Sequence, residues 1–219
     1  MSLFERLRDD NLDAWKSYTQ HAFVKGLATG DLPEKAFRTY LKQDYLFLIH
    51  FSRAYALAVY KSPGLSDMRQ ALEGLKAIMD MEMDLHVELC ASWGVSREQL
   101  ETTPEASQTM AYTRFVLETG LRGDLLDLQV ALAPCIIGYG EIARDNASAT
   151  PKGPAAATYR RWLDEYASEP YQDVAVDFIR WMDKTSQIYM TEARFSALSV
   201  IFNQASRLEA DFWQMGLED

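Results

Sequence analysis

Hydrophobic positions recur at helical spacing from one end of the chain to the other. Leu3, Phe4, Leu7, Leu12, Trp15 and Tyr18 open the series, spaced for one face of a helix over about residues 2–23. Thr29-Gly30-Asp31 reads as a turn. Asp31-Leu32-Pro33-Glu34 then reads as a helix start, because proline in the first turn lacks only an N–H that would have no partner there. The helix that follows is expected over about 33–60, stopping at Ser62-Pro63-Gly64. Its middle, 45–51, is apolar nearly all round, which implies deep burial. Further helices are expected over 67–93, 105–118, 124–146, 155–168, 171–190 and 192–215, with Gly94 and Gly120 as terminators and a short connection of about one turn within 95–104. No run alternates with a period of two, and no repeat of fixed length is present. The small-residue loop at 148–154 is too short for a domain linker. The pattern predicts one all-α domain, a helical bundle spanning 1–219.

Composition narrows the picture. A chain of 219 residues buries roughly 70% of its unfolded surface, so neither disulfide nor metal is needed to hold it. Its 22 Lys and Arg against 32 Asp and Glu leave a net charge of −10. Such a surface repels phosphate backbones and argues against nucleic-acid binding. The two cysteines, Cys90 and Cys135, lack metal-ligand spacing. The sequence shows no leader pattern and no uninterrupted apolar stretch of roughly 18 residues. A reducing cytoplasm with free thiols, and no membrane partner, is the expectation.

Candidate chemistry is densest in Ala131-Leu132-Ala133-Pro134-Cys135-Ile136-Ile137-Gly138-Tyr139-Gly140-Glu141. On a helix Cys135 and Tyr139 share a face. Pro134 removes the hydrogen bond to the carbonyl of Val130 and bends the axis beside the thiol. A bend there suggests a pocket more than a packed seam. The plain alternative is that Cys135 is a small buried hydrophobe. Asp44 stands among Tyr45, Leu46, Phe47, Leu48 and Ile49, where an unpaired carboxylate costs several kcal/mol by order of magnitude. It therefore needs a donor, a ligand, or an ion pair with Arg53 or Lys42. Phe47, three residues on, sets an aromatic plate beside it. Glu209 in Arg207-Leu208-Glu209-Ala210-Asp211-Phe212-Trp213 is a similar case, with a solvated helix face as its plain reading. Tyr112 and Tyr166 read as core tyrosines with hydroxyls at a rim.

These pieces, in this order, resemble the TenA family of thiaminase II and aminopyrimidine aminohydrolase proteins. The resemblance rests on Tyr40-Leu41-Lys42-Gln43-Asp44-Tyr45 with Phe51-Ser52-Arg53-Ala54, residues 82–86, Ala111-Tyr112, Pro134-Cys135 through Tyr139 and Glu141, Tyr159, Trp162, Tyr166, and Glu209 with Phe212-Trp213. It implies a haem-oxygenase-like bundle that assembles as a homotetramer without metal or cofactor. The implied reaction hydrolyses 4-amino-5-aminomethyl-2-methylpyrimidine to the hydroxymethyl compound and ammonia. By the same match Cys135 is the nucleophile of a Pro-Cys branch, Glu209 protonates a ring nitrogen, and Asp44 holds the aminopyrimidine edge. Tyr112 positions the thiol, Tyr166 donates to the polar rim, and Phe47 and Tyr139 flank the ring.

Residue types make that chemistry intelligible. An aminopyrimidine is a poor electrophile until a ring nitrogen is protonated, which Glu209 could do if burial raises its pKa. Covalent addition of sulfur divides one difficult displacement into two steps. A thiol of pKa about 8.5 must either be lowered or pass its proton to a neighbour. The chain departs from the family in His21-Ala22-Phe23 for His-Pro-Phe, in Ile137 near a common aromatic, and in the small Gly138 and Gly140. Those last positions put the shape of the pocket in question. Two rival functions remain: a haem or metal protein using His21, His50 or His86, and a non-catalytic regulator. Glu82 and His86, four apart, read as a salt-bridged surface pair, and Cys90 as structural.

Overall fold

The computed structural model describes residues 1–218, the side chain of Met81 apart; Asp219 of the expected span lies outside. Among the described residues all regular structure is helical. The first predicted helix is two short ones, α1 (Leu3–Asp10) and α2 (Leu12–Thr19), and a third, α3 (Ala22–Thr29), forms beyond its predicted end. Asn11 makes the first break. Its amide donates to the carbonyl of Leu7 and to Ser199 Oγ, both at 2.8 Å, and a side chain that bonds nearby backbone competes with the helix. Gly30 ends α3 in the left-handed region at φ 90°, where a Cβ would be strained.

The long α4 (Glu34–Lys61) follows, with Pro33 as its N-cap residue. Next come α5 (Leu65–Ala77), a π-helical turn (Ile78–Glu82), α6 (Met83–Ala91), the short α7 (Arg97–Glu101) and α8 (Ser107–Arg122). Gly120 does not end α8. A Cβ there would stand 2.8 Å from Leu128 and 2.9 Å from Leu57, so glycine lets α8 approach its neighbours. The helix stops at Gly123, and Asp124 caps the next one through the backbone N–H groups of Leu126 and Asp127.

That next helix is continuous over Leu125–Asp145, as α9 (Leu125–Ala133), a second π-helical turn (Pro134–Gly138) and α10 (Tyr139–Asp145). By length and mean hydropathy it could cross a membrane, although Asp127, Gln129 and Glu141 interrupt it, and 89% of the 18-residue window that meets that measure is buried within the bundle. Then α11 (Ala156–Ala167), α12 (Glu169–Tyr189) and α13 (Glu192–Glu218) complete the chain. The two long helices α4 and α13 pack on each other, and both also contact α8 and α9. Buried side chains from Leu3 to Met215 form one continuous core. The segment around 40–51 faces protein on nearly every side, as its composition requires.

Candidate active site

The thiol lies where α9 deforms. Proline cannot donate the bond an α-helix would ask of residue 134, and the ladder widens into a π turn from that residue on. Side chains of other helices take carbonyls along the distorted stretch. Tyr18 donates to the Pro134 carbonyl at 3.3 Å, Tyr171 to that of Ile136 at 3.2 Å, and Gln172 to that of Gly140 at 3.0 Å. Cys135 is free and 8% exposed. Gly138 does not enlarge a pocket, because the Tyr18 ring fills the space a Cβ would need, with its hydroxyl 2.7 Å away.

Three carboxyl groups lie near enough for their charges to act on the sulfur. Burial pushes the thiol well above its ordinary range, and the charges of Glu209, Glu82 and Asp44 push it the same way. Glu209, on α13, is fully enclosed rather than solvated, and Tyr112 of α8 donates to its Oε1 at 2.8 Å. Burial raises Glu209 well above the usual carboxylate range, although the Tyr112 bond works against it. Asp44 pairs with neither Arg53 nor Lys42. Its Oδ2 accepts from Tyr40 at 2.9 Å and meets His86 Nε2 at 2.6 Å.

His86 and Glu82 are not a surface pair. His86 has no exposure, and its Nδ1 lies 2.8 Å from the carbonyl of Glu82. A carbonyl only accepts, so Nδ1 carries a proton and the second shared proton lies between Nε2 and Asp44. Burial opposes the imidazolium, but Asp44, by its charge and hydrogen bond, raises the His86 pKa above its ordinary value. Glu82, the last residue of the first π turn, is half-buried as a residue while its carboxyl is enclosed. Tyr166 donates to it at 2.9 Å. Burial pushes the Glu82 carboxyl up to about 7, opposed by His86 and aided by Asp44.

Aromatic rings wall this cluster. Tyr139 lies 5.1 Å from Tyr166, 5.3 Å from Trp213 and 5.8 Å from Trp162 between centroids. Phe47 lies 5.0 Å from Tyr112 and 5.8 Å from Phe212. Trp162 donates to the Tyr40 hydroxyl at 3.2 Å and so extends the Asp44 network. Beside Cys135 opens a cavity of about 140 Å³ whose lining includes Ile136, Tyr166, Tyr171, Tyr55 and Glu82. All seven sequence candidates, Asp44, Phe47, Tyr112, Cys135, Tyr139, Tyr166 and Glu209, lie in this one buried region. The Tyr112 hydroxyl is held by Glu209 and not by sulfur, contrary to the expectation that it positions the thiol. Tyr40 carries no role in the sequence reading, and Glu82 and His86 appear there only as a surface pair or, for His86, a rival haem or metal ligand; the one signal available is their four-residue spacing.

The other histidines are engaged elsewhere. His21 Nδ1 caps α3 by accepting from the Phe23 N–H, and His50 lies between Arg53, Arg114 and Glu105. Among the described residues no three His, Cys, Asp or Glu side chains are grouped as metal ligands.

Fold and site together define an all-helical bundle closed around a thiol, three carboxyl groups and a set of aromatic plates. The chain belongs to the TENA/THI-4/PQQC family, which matches residues 9–219. It is 38% identical over 219 residues to an uncharacterized protein of Haemophilus influenzae, with 99% of each chain covered. To the aminopyrimidine aminohydrolase of Halalkalibacterium halodurans it is 33% identical over 219 residues, covering 100% of this chain and 97% of the relative. A solved TenA family transcription regulator from Silicibacter superposes with a TM-score of 0.94 at 43% identity, covering 99% and 97% of the two chains. A domain with a haem-oxygenase-like fold from Shewanella denitrificans superposes at 0.73 with 11% identity, covering 98% and 92%. The fold is haem-oxygenase-like, as the resemblance implied.

Proposed function

We propose that this chain is an aminopyrimidine aminohydrolase of the thiaminase II kind, releasing ammonia from 4-amino-5-aminomethyl-2-methylpyrimidine with Cys135 as nucleophile. One observation carries the reading: an enclosed thiol whose charged neighbours are carboxyl groups, set among aromatic plates. The name of the relative that is 33% identical over the full length supports it.

Phe47 and Tyr139 flank the flat ring in this reading. Tyr40 and His86 occupy Oδ2 of Asp44, so Oδ1 is the atom that takes the substrate's amino group. A site that must satisfy a buried acceptor in this way rejects a ring lacking the amino group. Glu209, held by Tyr112, hands a proton to a ring nitrogen. Sulfur must lose a proton as that nitrogen gains one. Doing both together keeps the net charge of the dry site constant and avoids the cost of a new buried charge. The raised thiol and the raised Glu209 are therefore two halves of one arrangement. Sulfur needs no standing thiolate; the bound ring supplies the proton acceptor.

Ammonia release from the aminomethylpyrimidine, measured beside cleavage of thiamin, tests the reading. Cys135→Ser is expected to bind the hydroxymethylpyrimidine within a few-fold of the parent while kcat falls by about a thousand-fold or more. Turnover close to the parent in that variant would remove Cys135 from the reaction. A folded parent that binds the pyrimidine and releases no ammonia would favour the regulator.

A further inference from the structure

Glu82 has no role in the reaction as written, yet its setting is that of a working group. It closes the π-helical turn Ile78–Glu82, and it lies in the wall of the cavity beside the thiol. That cavity is mostly apolar and runs from Ile136, next to Cys135, to a rim at Val174, which is 40% exposed. A group expelled from a ring bound against Cys135 has in it a route past Glu82. The titratable side chains that act on Glu82 come from several elements: His86 on α6, Asp44 and Tyr55 on α4, Tyr166 and Glu165 on α11, Tyr171 on α12, and Cys135. No Lys or Arg is among them to hold Glu82 as a permanent carboxylate. Tyr166 fixes one oxygen at 2.9 Å and leaves the carboxyl free to cycle a proton.

We propose that Glu82 is the proton donor to the departing amine and then the base that takes a proton from the attacking water. The inference rests on the aminohydrolase reading above. Sulfur first bonds to the ring carbon adjacent to the substituted one, while the ring nitrogen takes up the thiol's proton through Glu209. The ring electrons then form the exocyclic C=CH2 bond as the C–N bond breaks, and its electron pair leaves on nitrogen. That nitrogen takes the Glu82 proton and departs as ammonia. Water gives one proton to the Glu82 carboxylate as its oxygen bonds to the methylene carbon. The electrons return through the ring and the S–C bond breaks, sulfur regaining its proton. Glu82 ends as it began, protonated, and one water has replaced one ammonia.

A carboxyl in that place sorts leaving groups. An amine needs the proton, whereas the thiazole of thiamin departs neutral without one. A group titrating near the working pH is suited to both halves of such a cycle, and burial pushes Glu82 to about 7.

Glu82→Gln keeps an oxygen for the Tyr166 hydroxyl and so preserves the contact that holds the residue. The variant and its parent are compared for kcat/KM on the aminomethylpyrimidine and on thiamin, and for the pH profile on the amine. The expected result is a loss about 100-fold larger on the amine than on thiamin, taken mainly in kcat, with the limb near pH 7 gone from the profile. Equal losses on both substrates, or a variant profile that keeps that limb, would reduce Glu82 to a structural residue. A parent that releases no ammonia would instead overturn the reaction itself, and this inference with it.

Discussion

At the scale of single residues, the unusual feature is how the thiol is kept. Reactive cysteines commonly stand beside cations or helix N-termini that favour thiolate. Cys135 stands among Glu209, Glu82 and Asp44 and is pushed the other way by burial and charge alike. In the proposed reaction, sulfur is thus protected until a ligand brings a basic ring nitrogen. The expected outcome is slow alkylation of Cys135 by iodoacetamide at pH 7–8, slower than a free cysteine and still accelerating above pH 9. A rate that levels off below pH 8 would mean that a thiolate is present in the free protein. Much of this was legible in the residues. Asp44 is a carboxyl group in an apolar run, where an unpaired charge is costly, and it is buried and bonded. Glu209, between Arg207 and Asp211, reads more plainly as solvated and is placed by the family resemblance. Glu82 was not legible, because Glu four before His, with Asp84 and Glu88 close by, has the look of a solvated face. Its enclosure comes from α11 and α12, more than 80 residues further along the chain.

At the scale of elements, two π-helical turns contribute to the cavity wall, one through Ile78 and Glu82 and the other, which carries Cys135, through Ile136. An extra residue in a turn rotates the side chains that follow and leaves carbonyls poorly paired, an arrangement common at functional sites. Pro134 announced a bend, since its missing donor is visible in the sequence. That the bend is a π turn was not visible, because it is fixed by Tyr18, Tyr171 and Gln172 from other helices. The split of the first helix at Asn11 escaped for the same kind of reason, its side chain being held by Ser199 of α13. Gly138 is the position where element and site meet. Adding a Cβ there sets it 2.7 Å from the Tyr18 hydroxyl and 2.8 Å from Cζ. Gly138→Ala is expected to cost about 1–3 kcal/mol for the overpacking and about 1 kcal/mol more for the Tyr18–Pro134 bond. Urea unfolding measures the total. A variant as stable as the parent would mean that the ring moves aside without loss.

At the scale of the whole molecule, an acidic chain encloses two carboxyl groups, Glu82 and Glu209, where burial opposes their ionisation. Glu82 has its pKa raised by folding from 4.5 to about 7, so the native state holds a proton that the unfolded chain has released. Stability changes with pH in proportion to protons bound unfolded minus protons bound folded. Between pH 4.5 and 7 that difference is negative for Glu82. Its contribution is therefore complete below pH 4.5, declines as pH rises through 7, and is constant above. A rise of that size is equivalent to roughly 3 kcal/mol between the two limits. Glu209, raised by its own burial, acts with the same sign, and the net charge of −10 adds self-repulsion at neutral pH. Comparison with Glu82→Gln isolates one group from these, because the amide does not titrate while the remaining charges are shared. From pH 5 to pH 8 the parent is expected to lose about 3 kcal/mol more than the variant, seen as crossing or converging urea midpoints. A constant gap between the two across that range would show that Glu82 ionises as readily in the fold as out of it, and would remove the reason for a proton to reside there.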